Sequence, residues 1–237
     1  MRLSANLNVI VKAIQRATIN TGRDFIEIEN LQSNPLSANK FAVACYNRIK
    51  QILIEDFSKF RPDYNLIFSD GKKIIRSNNA EYSYVIHAID GLENLVRSNP
   101  DFTVAVALEH TNQQGQKEPI SVAIIKIFSN ETYYCEKGFG AFLNSRRIRV
   151  SKRAGISEKL LASTQDYAAF EQKVLGKNYA IRAYGCSTLD IAYLSAARLE
   201  TALFKKQDFE LFKPFLLLVR EAGGKITEDE KFILASN

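Results

Sequence analysis

Apolar residues recur at spacings of three and four where the chain begins. Leu3, Leu7, Ile10, Val11, Ile14 and Ala17 fall on one face of a predicted helix. A longer helix is predicted over 38–60, with Phe41, Cys45, Ile49, Ile52, Leu53 and Phe57 as its buried stripe and Pro62 as its stop. The period then shortens. Residues 65–68, 84–89, 103–108, 120–128 and 132–136 are short runs rich in β-branched and aromatic residues, separated by Gly, Asn and Pro, and they predict strands. Gly138 and Gly140 suggest a tight strand-to-strand connection.

The second half alternates. Strands are expected at 160–163 and 179–182, and a helix over 187–198 with Leu189, Tyr193, Ala196 and Ala197 inward. A further helix is expected over 212–222, with Pro214 tolerated in its first turn and Gly223-Gly224 closing it. Ile226 and Ile233 sit in short terminal strands. This order predicts an α/β fold, of the layered α+β kind, with helices stacked on sheets. The expected organisation is one unit over 1–237, with an α+β part over 1–150 and an α/β part over 151–237.

Hydrophobic content of 46% supplies a full core and excludes disorder. No apolar run approaches the ~18 residues of a membrane span. The opening residues lack a continuous apolar segment and a small-residue cleavage site, so a soluble, unexported, cytoplasmic protein is expected. Cys45, Cys135 and Cys186 form no Cys-x-x-Cys unit, which fits a reducing compartment. With only His87 and His110, a closed zinc site is not expected. The net charge is +6, and its densest basic stretch is SRRIRVSKR over 145–153. That stretch reads as a nucleic-acid or acidic-partner patch, or as a solvated hairpin with Ile148 and Val150 inward and Arg147 and Arg149 in water.

The candidate chemistry centres on YVIHAIDGLENL at 84–95. A hydrophobic strand ends at Asp90-Gly91 and a short helix follows. A carboxylate at a strand end beside the free N–H groups of a helix start is a sound way to hold a cation and a phosphate together.

This segment resembles the aspartate signature of the inositol monophosphatase family, W-(I/V)-(I/V)-D-P-(I/L)-D-G-T-x-N-F. RDFIEIENLQ, FRPDYNLIFSDG, NPDFTVAVALEH, YYCEKGFGAFLNSRRIRVS, AYGCSTLDIAYLSAARLE and LLLVREAGGKIT resemble, in order, other segments of the family, notably its bacterial extragenic suppressor SuhB type. The resemblance implies an inositol-monophosphatase-like sandwich of helix and sheet layers, a homodimer by analogy, and hydrolysis of phosphate monoesters by Mg²⁺ ions clamped between carboxylates.

Carried across residue by residue, the resemblance implies a depleted metal site. The family's Glu-Glu pair falls on Ser69 and Asp70, and the first signature aspartate on His87, with Ala88 after it. Ile89 retains the backbone carbonyl ligand, and Asp90 and Gly91 are kept. The threonine that aligns the water is Leu92, so the catalytic positions are Asp90 and a replaced Leu92, while Asn94 is kept. A lysine position holds Leu36, an early aspartate is Tyr46, the late ligand aspartate is Leu211, and Glu210 takes the tryptophan position. The substrate-binding positions are Gly91, Leu92, Gly185, Cys186, Ser187 and Lys205, the last in place of an acid.

Of about five carboxylates expected around two Mg²⁺ ions, Asp70 and Asp90 remain, and each lost ligand costs tens-fold in affinity. The expectation is a phosphatase-like protein with lost or severely impaired magnesium chemistry. A binding or regulatory role would replace catalysis, on a small phosphorylated ligand or a transcription-machinery or RNA partner. The alternative is a weak or altered-metal phosphatase that binds one metal through Asp90, Ile89 and Asp70, and a further option is a softer metal such as Mn²⁺ or Zn²⁺ on His87 and Asp70. His87 otherwise fills the vacated position and bonds locally, and Cys186 reads as a small packing residue rather than a nucleophile.

Overall fold

The computed structural model describes residues 3–153, 159–163 and 179–237. Three helices open the chain: α1 (Ala5–Ala17), α2 (Thr21–Asn30) and α3 (Pro35–Phe60). Ser4 caps α1 through its side chain, which accepts from the N–H of Leu7 at 3.2 Å. Asn34 does the same for α3, with Pro35 in the first turn, where its missing N–H costs nothing. The buried stripe of α3 is Ala38, Ala42, Cys45, Ile49, Leu53 and Phe57, whereas the expected Phe41 and Ile52 are only half-buried at its edges.

Eight strands form the large sheet: β1 (Asn65–Phe68), β2 (Lys73–Ile74), β3 (Tyr82–Asp90), β4 (Thr103–Thr111), β5 (Lys117–Lys126), β6 (Glu131–Glu136), β7 (Gly140–Leu143) and β8 (Arg146–Ile148). Their order is β2-β1-β3-β4-β5-β6-β7-β8, with β1 and β3 parallel and every other pair antiparallel. A short helix, α4 (Leu92–Val96), separates β3 from β4. The hairpin of β7 and β8 leaves Arg147 and Arg149 exposed and Val150 buried, as its alternation predicts.

A second sheet has the order β10-β9-β11-β13-β12. Its strands are β9 (Lys159–Ser163), β10 (Tyr179–Arg182), β11 (Thr201–Lys205), β12 (Lys225–Glu228) and β13 (Phe232–Ser236). Between the sheets lie α5 (Ser187–Ser195), a 3-10 turn over Lys213–Leu216, and α6 (Leu217–Glu221).

The central strands of the large sheet are buried on both faces, which is why they read as nearly continuous apolar runs. Tyr84, Ile86, Val104, Val106 and Ala123 pack under α1, α2 and α3. Val85, Ala105, Ala107, Val122 and Ile124 face the other way, onto Ile191, Phe215, Leu218, Phe204 and Ile233. The layers therefore run helix, sheet, helix, sheet. His87 shares the second face of β3, so its ring points at the inter-sheet layer. No helix among the described residues is long and apolar enough to cross a membrane.

Three expectations change. A helix, α2, occupies part of the 23–32 segment that had been given no element. The helix expected over 187–198 ends at Ser195, and that expected over 212–222 is a 3-10 turn followed by only one α-helical turn and a half. In the latter, Pro214 has no N–H to give and Phe215 donates to the carbonyl of Phe212 at 3.0 Å, winding the first turn tightly.

Candidate functional site: a metal locus with its carboxylates engaged

The register of β3 against β4 shifts between His87 and Asp90, which takes Ala88 and Ile89 out of the regular ladder. Gly91 then turns the chain at φ +83°, a conformation that favours glycine. The turn is also crowded: a Cβ here would lie 3.1 Å from the carbonyl oxygen of Asp101 and 3.3 Å from Cβ of Cys186. Gly91 therefore brings the 90–94 turn against the loop that precedes α5. Asn94 clasps the two together, its Nδ2 donating to the carbonyls of Asp101 and Tyr184, each at 2.7 Å.

Asp90 is held by that loop. Its Oδ2 accepts from the N–H of Thr188 at 2.7 Å, from the Thr188 hydroxyl at 2.7 Å and from the thiol of Cys186 at 3.3 Å. The residue that formally caps α5, Cys186, makes no side-chain cap bond. Asp90 supplies the missing acceptor from across the layer, its negative charge at the positive end of the helix. Burial pushes the Cys186 thiol far above its ordinary value, and the charge of Asp90 pushes it the same way, so Cys186 is a weak donor rather than a thiolate nucleophile.

Asp70 is engaged as well. It forms an ion pair with Lys50, a lysine only 7% exposed, and accepts from the N–H of Lys72 at 3.1 Å. Burial favours its neutral form, but the bonds from Lys50 and Lys72 outweigh that and hold its carboxyl below the ordinary value. The Lys50 ammonium also lies 4.8 Å from the centre of the Phe68 ring. A fixed monovalent cation thus sits beside one of the two carboxylates the expected site retains.

Two positions at which the resemblance implies ligand aspartates, His87 and Leu211, meet each other. His87 is 2% exposed, and its Nε2 lies 3.0 Å from the carbonyl oxygen of Leu211. Its ring centre is 4.2 Å from that of Phe212 and 5.3 Å from that of Phe215. Burial lowers its pKa, and this outweighs the opposing pull of Asp90 and the Leu211 carbonyl, so the neutral ring is favoured. A neutral imidazole carries its single N–H proton on one nitrogen, and the bond to the Leu211 carbonyl fixes that proton on Nε2.

Of the remaining positions, Ser69 is half-buried just past β1, and Leu92 is half-buried against the helical layer at the start of α4. Gly185 is exposed at φ +68°, beside the amide of Asn94, and Ser187 is buried in the first turn of α5. Lys205 ends β11. Glu210 is exposed and pairs with Lys213 at 2.7 Å, away from His87. Leu36 is 66% exposed at the start of α3.

Lys50, Thr188 and Asp190 were not singled out from sequence. Asp190 is fully buried in α5, and among the described residues neither of its carboxylate oxygens has a hydrogen-bond partner. Burial, aided by the charges of Asp90 and Asp101, raises its pKa well above the ordinary value and keeps it protonated. The only available signal for Lys50 was its place one turn after Tyr46 on the same helix face.

A closed set of anionic oxygens is what Mg²⁺ requires. Here one carboxylate caps a helix, one is paired with an ammonium, and the other positions present a hydroxyl, an aromatic-packed imidazole and a leucine. Among the described residues, no three His, Cys, Asp or Glu side chains are grouped so as to hold a metal ion. The residues present do not fit a pair of Mg²⁺ ions.

Comparison with known proteins shows the family. The family model described as the inositol monophosphatase family matches residues 7–231. The chain belongs to the inositol monophosphatase family. One relative, an inositol-1-monophosphatase of Rhizobium meliloti, is 31% identical over 97% of this chain and 88% of its own length. Another, the Nus factor SuhB of Pseudomonas aeruginosa, is 25% identical over 94% of this chain and 84% of its own. The crystal structure of the extragenic suppressor protein SuhB from Bartonella henselae superposes with a TM-score of 0.82 at 26% identity, covering 100% of this chain and 94% of that one. This chain therefore shares the layered fold of that structure.

Proposed function

We propose that this chain is a family member in which magnesium-dependent phosphomonoester hydrolysis is lost or severely reduced, and which acts by binding. The observation that carries this reading is the engagement of Asp90 by Thr188 and Cys186. All three bonds reach Oδ2, which leaves a first metal one oxygen of that carboxylate, and the ion pair of Asp70 with Lys50 would have to open for a second. Neither ion finds enough further ligands, because Ser69, His87 and Leu211 offer no anionic oxygen. The family's Mg²⁺ is then weakly held or not held at all.

The relatives named Nus factor SuhB support a partner in the transcription machinery as the counterpart for this chain, in the homodimeric assembly that the family resemblance implies. Calorimetric titration with Mg²⁺ and Mn²⁺, followed by a phosphate-release assay on inositol 1-phosphate, tests the reading. No binding up to about 10 mM ion and no release above buffer are expected. Millimolar or tighter Mg²⁺ binding together with turnover would overturn it.

A further inference from the structure

The basic stretch at 145–153 has a setting that the candidate metal site does not explain. A cavity of about 380 Å³ is lined by Gly138 and Gly140, by Arg147, Arg149 and Lys152, and by Arg220 at the end of α6. All four cationic residues are exposed. Several arginines elsewhere are paired: Arg16 with Asp56, Arg48 with Asp24, Arg153 with Glu200, Arg198 with Glu131. Among the described residues, the side chains of Arg147, Arg149, Lys152 and Arg220 have neither a hydrogen bond nor an ion pair. Four like charges converging without partners repel one another, an arrangement that an anionic ligand relieves.

The cavity is also shaped. Gly140 has φ +88°, and a Cβ added to it would lie 2.9 Å from Nη2 of Arg147, so the guanidinium lies over the strand where only glycine leaves room. Glu221, the one carboxylate in the lining, accepts from the N–H of Gly138 at 2.8 Å and of Gly140 at 2.7 Å. It anchors the turn between β6 and β7 against α6 instead of pairing with the arginines. That turn carries Phe139, which is 58% exposed and has no ring partner among the described residues. An exposed aromatic ring beside unpaired guanidinium forks offers a π-face and phosphate-matching donors together.

We propose that this face binds single-stranded nucleic acid, with backbone phosphates on Arg147, Arg149, Lys152 and Arg220 and a base stacked on Phe139. An acidic peptide would use the cations but has no need of the ring. A small phosphorylated molecule would use the cavity without tracking several exposed cations. The proposal rests on the reading that this chain acts by binding, and it involves no residue of the metal locus.

The test is fluorescence anisotropy of the full chain with a labelled oligouridylate of about a dozen nucleotides, across a salt series. Affinity is expected to fall linearly with salt on logarithmic axes. Arg147→Gln with Arg149→Gln should flatten that slope by about 1.4, because each phosphate contact on a single strand contributes about 0.7. Phe139→Ala should weaken binding about tenfold and leave the slope unchanged. These side chains are exposed, and circular dichroism of each variant confirms that it folds. No binding at low salt, an unaltered slope in the double variant, or an unaltered affinity in Phe139→Ala overturns the proposal. So does competition by polyglutamate or uridine monophosphate as effective as that of the unlabelled strand. The Mg²⁺ titration separates the two readings: a chain that binds both ion and strand refutes only the loss of metal chemistry, and one that binds neither refutes only this proposal.

Discussion

Nε2 of His87 lies 3.0 Å from the carbonyl oxygen of Leu211, joining two residues 124 positions apart that both stand where the family resemblance places a ligand aspartate. The two positions therefore meet directly, and the imidazole donates to a backbone carbonyl of the segment that carries Leu211. The Phe212 and Phe215 rings complete an apolar lining that favours the neutral ring.

Restoring charge should restore metal affinity, but only in part. With Ser69→Glu, His87→Asp and Leu211→Asp together, calorimetry is expected to detect Mg²⁺ binding that the parent chain lacks. Adding Lys50→Gln should tighten it about tenfold or more, because the ammonium paired with Asp70 no longer competes for that carboxylate. If the fourfold variant binds no ion, the pocket differs from an active one in shape as well as in charge.

Asp90→Ala distinguishes a structural carboxylate from a metal ligand. A carboxylate kept only for a cation is self-repulsive when the cation is absent, so removing it in chelator should stabilise the fold. Asp90 instead accepts the N–H and hydroxyl of Thr188, and the variant is expected to lose about 1–3 kcal/mol by urea denaturation in EDTA. Thr188→Val should lose part of the same amount, and the double variant less than the sum, since both remove one interaction. A gain in stability for Asp90→Ala would refute the helix-capping role.

Much of the fold was legible because burial on both faces leaves unbroken apolar runs such as Val104–Leu108, and because Pro62 stops α3 where the expected helix ends, although the helix starts at Pro35 rather than at 38. What was not legible has local physical causes. The C-terminus of α5 closes when Ala197 adopts φ +60°, with the N–H of Arg198 reaching the carbonyl of Tyr193 at 2.9 Å and that of Ala197 reaching Leu194 at 3.1 Å. Glycine would have announced that motif, whereas alanine reads as continuing helix. Within α2 only Phe25 and Ile28 are apolar and buried, and Ile26 is 60% exposed, so its period is faint. At the site, the family resemblance marked the positions where acids are expected and other residues stand. It could not reveal that Asp90 meets Thr188, or that Lys50 turns towards Asp70, because those meetings depend on the stacking of layers distant in sequence.

Gly91→Ala tests whether the turn after Asp90 is a fixed joint. The residue must hold φ +83° while its new Cβ presses on backbone at Asp101, which does not yield as a flexible side-chain tip would. A loss of about 2 kcal/mol or more is expected, measured by urea midpoint, with the left-handed conformation alone accounting for about 1–2 kcal/mol. A loss below about 0.5 kcal/mol would mean that this loop relaxes freely and that Asp90 is not rigidly placed.

The buried acid of α5 sets a pH dependence whose sign can be worked out. Asp190 keeps its proton in the folded chain, where its pKa is raised, and loses it in the unfolded chain above about pH 4. Its contribution is therefore fully present below the unfolded value and is lost as pH rises towards the folded one. Unfolding releases one proton across that window, so stability falls by up to about 1.4 kcal/mol per pH unit. Asp190→Asn is nearly the same shape and cannot ionise. Relative to the parent, the variant should gain stability as pH rises from the unfolded value towards the folded one and show no such gain near pH 4. Its own amide lacks partners in that position, as the carboxyl does, so the absolute stability near pH 4 is expected to be similar or slightly lower. Urea midpoints of the two proteins measured at four pH values decide the matter, and parallel curves would mean that Asp190 is ionised in the folded chain and compensated by a partner.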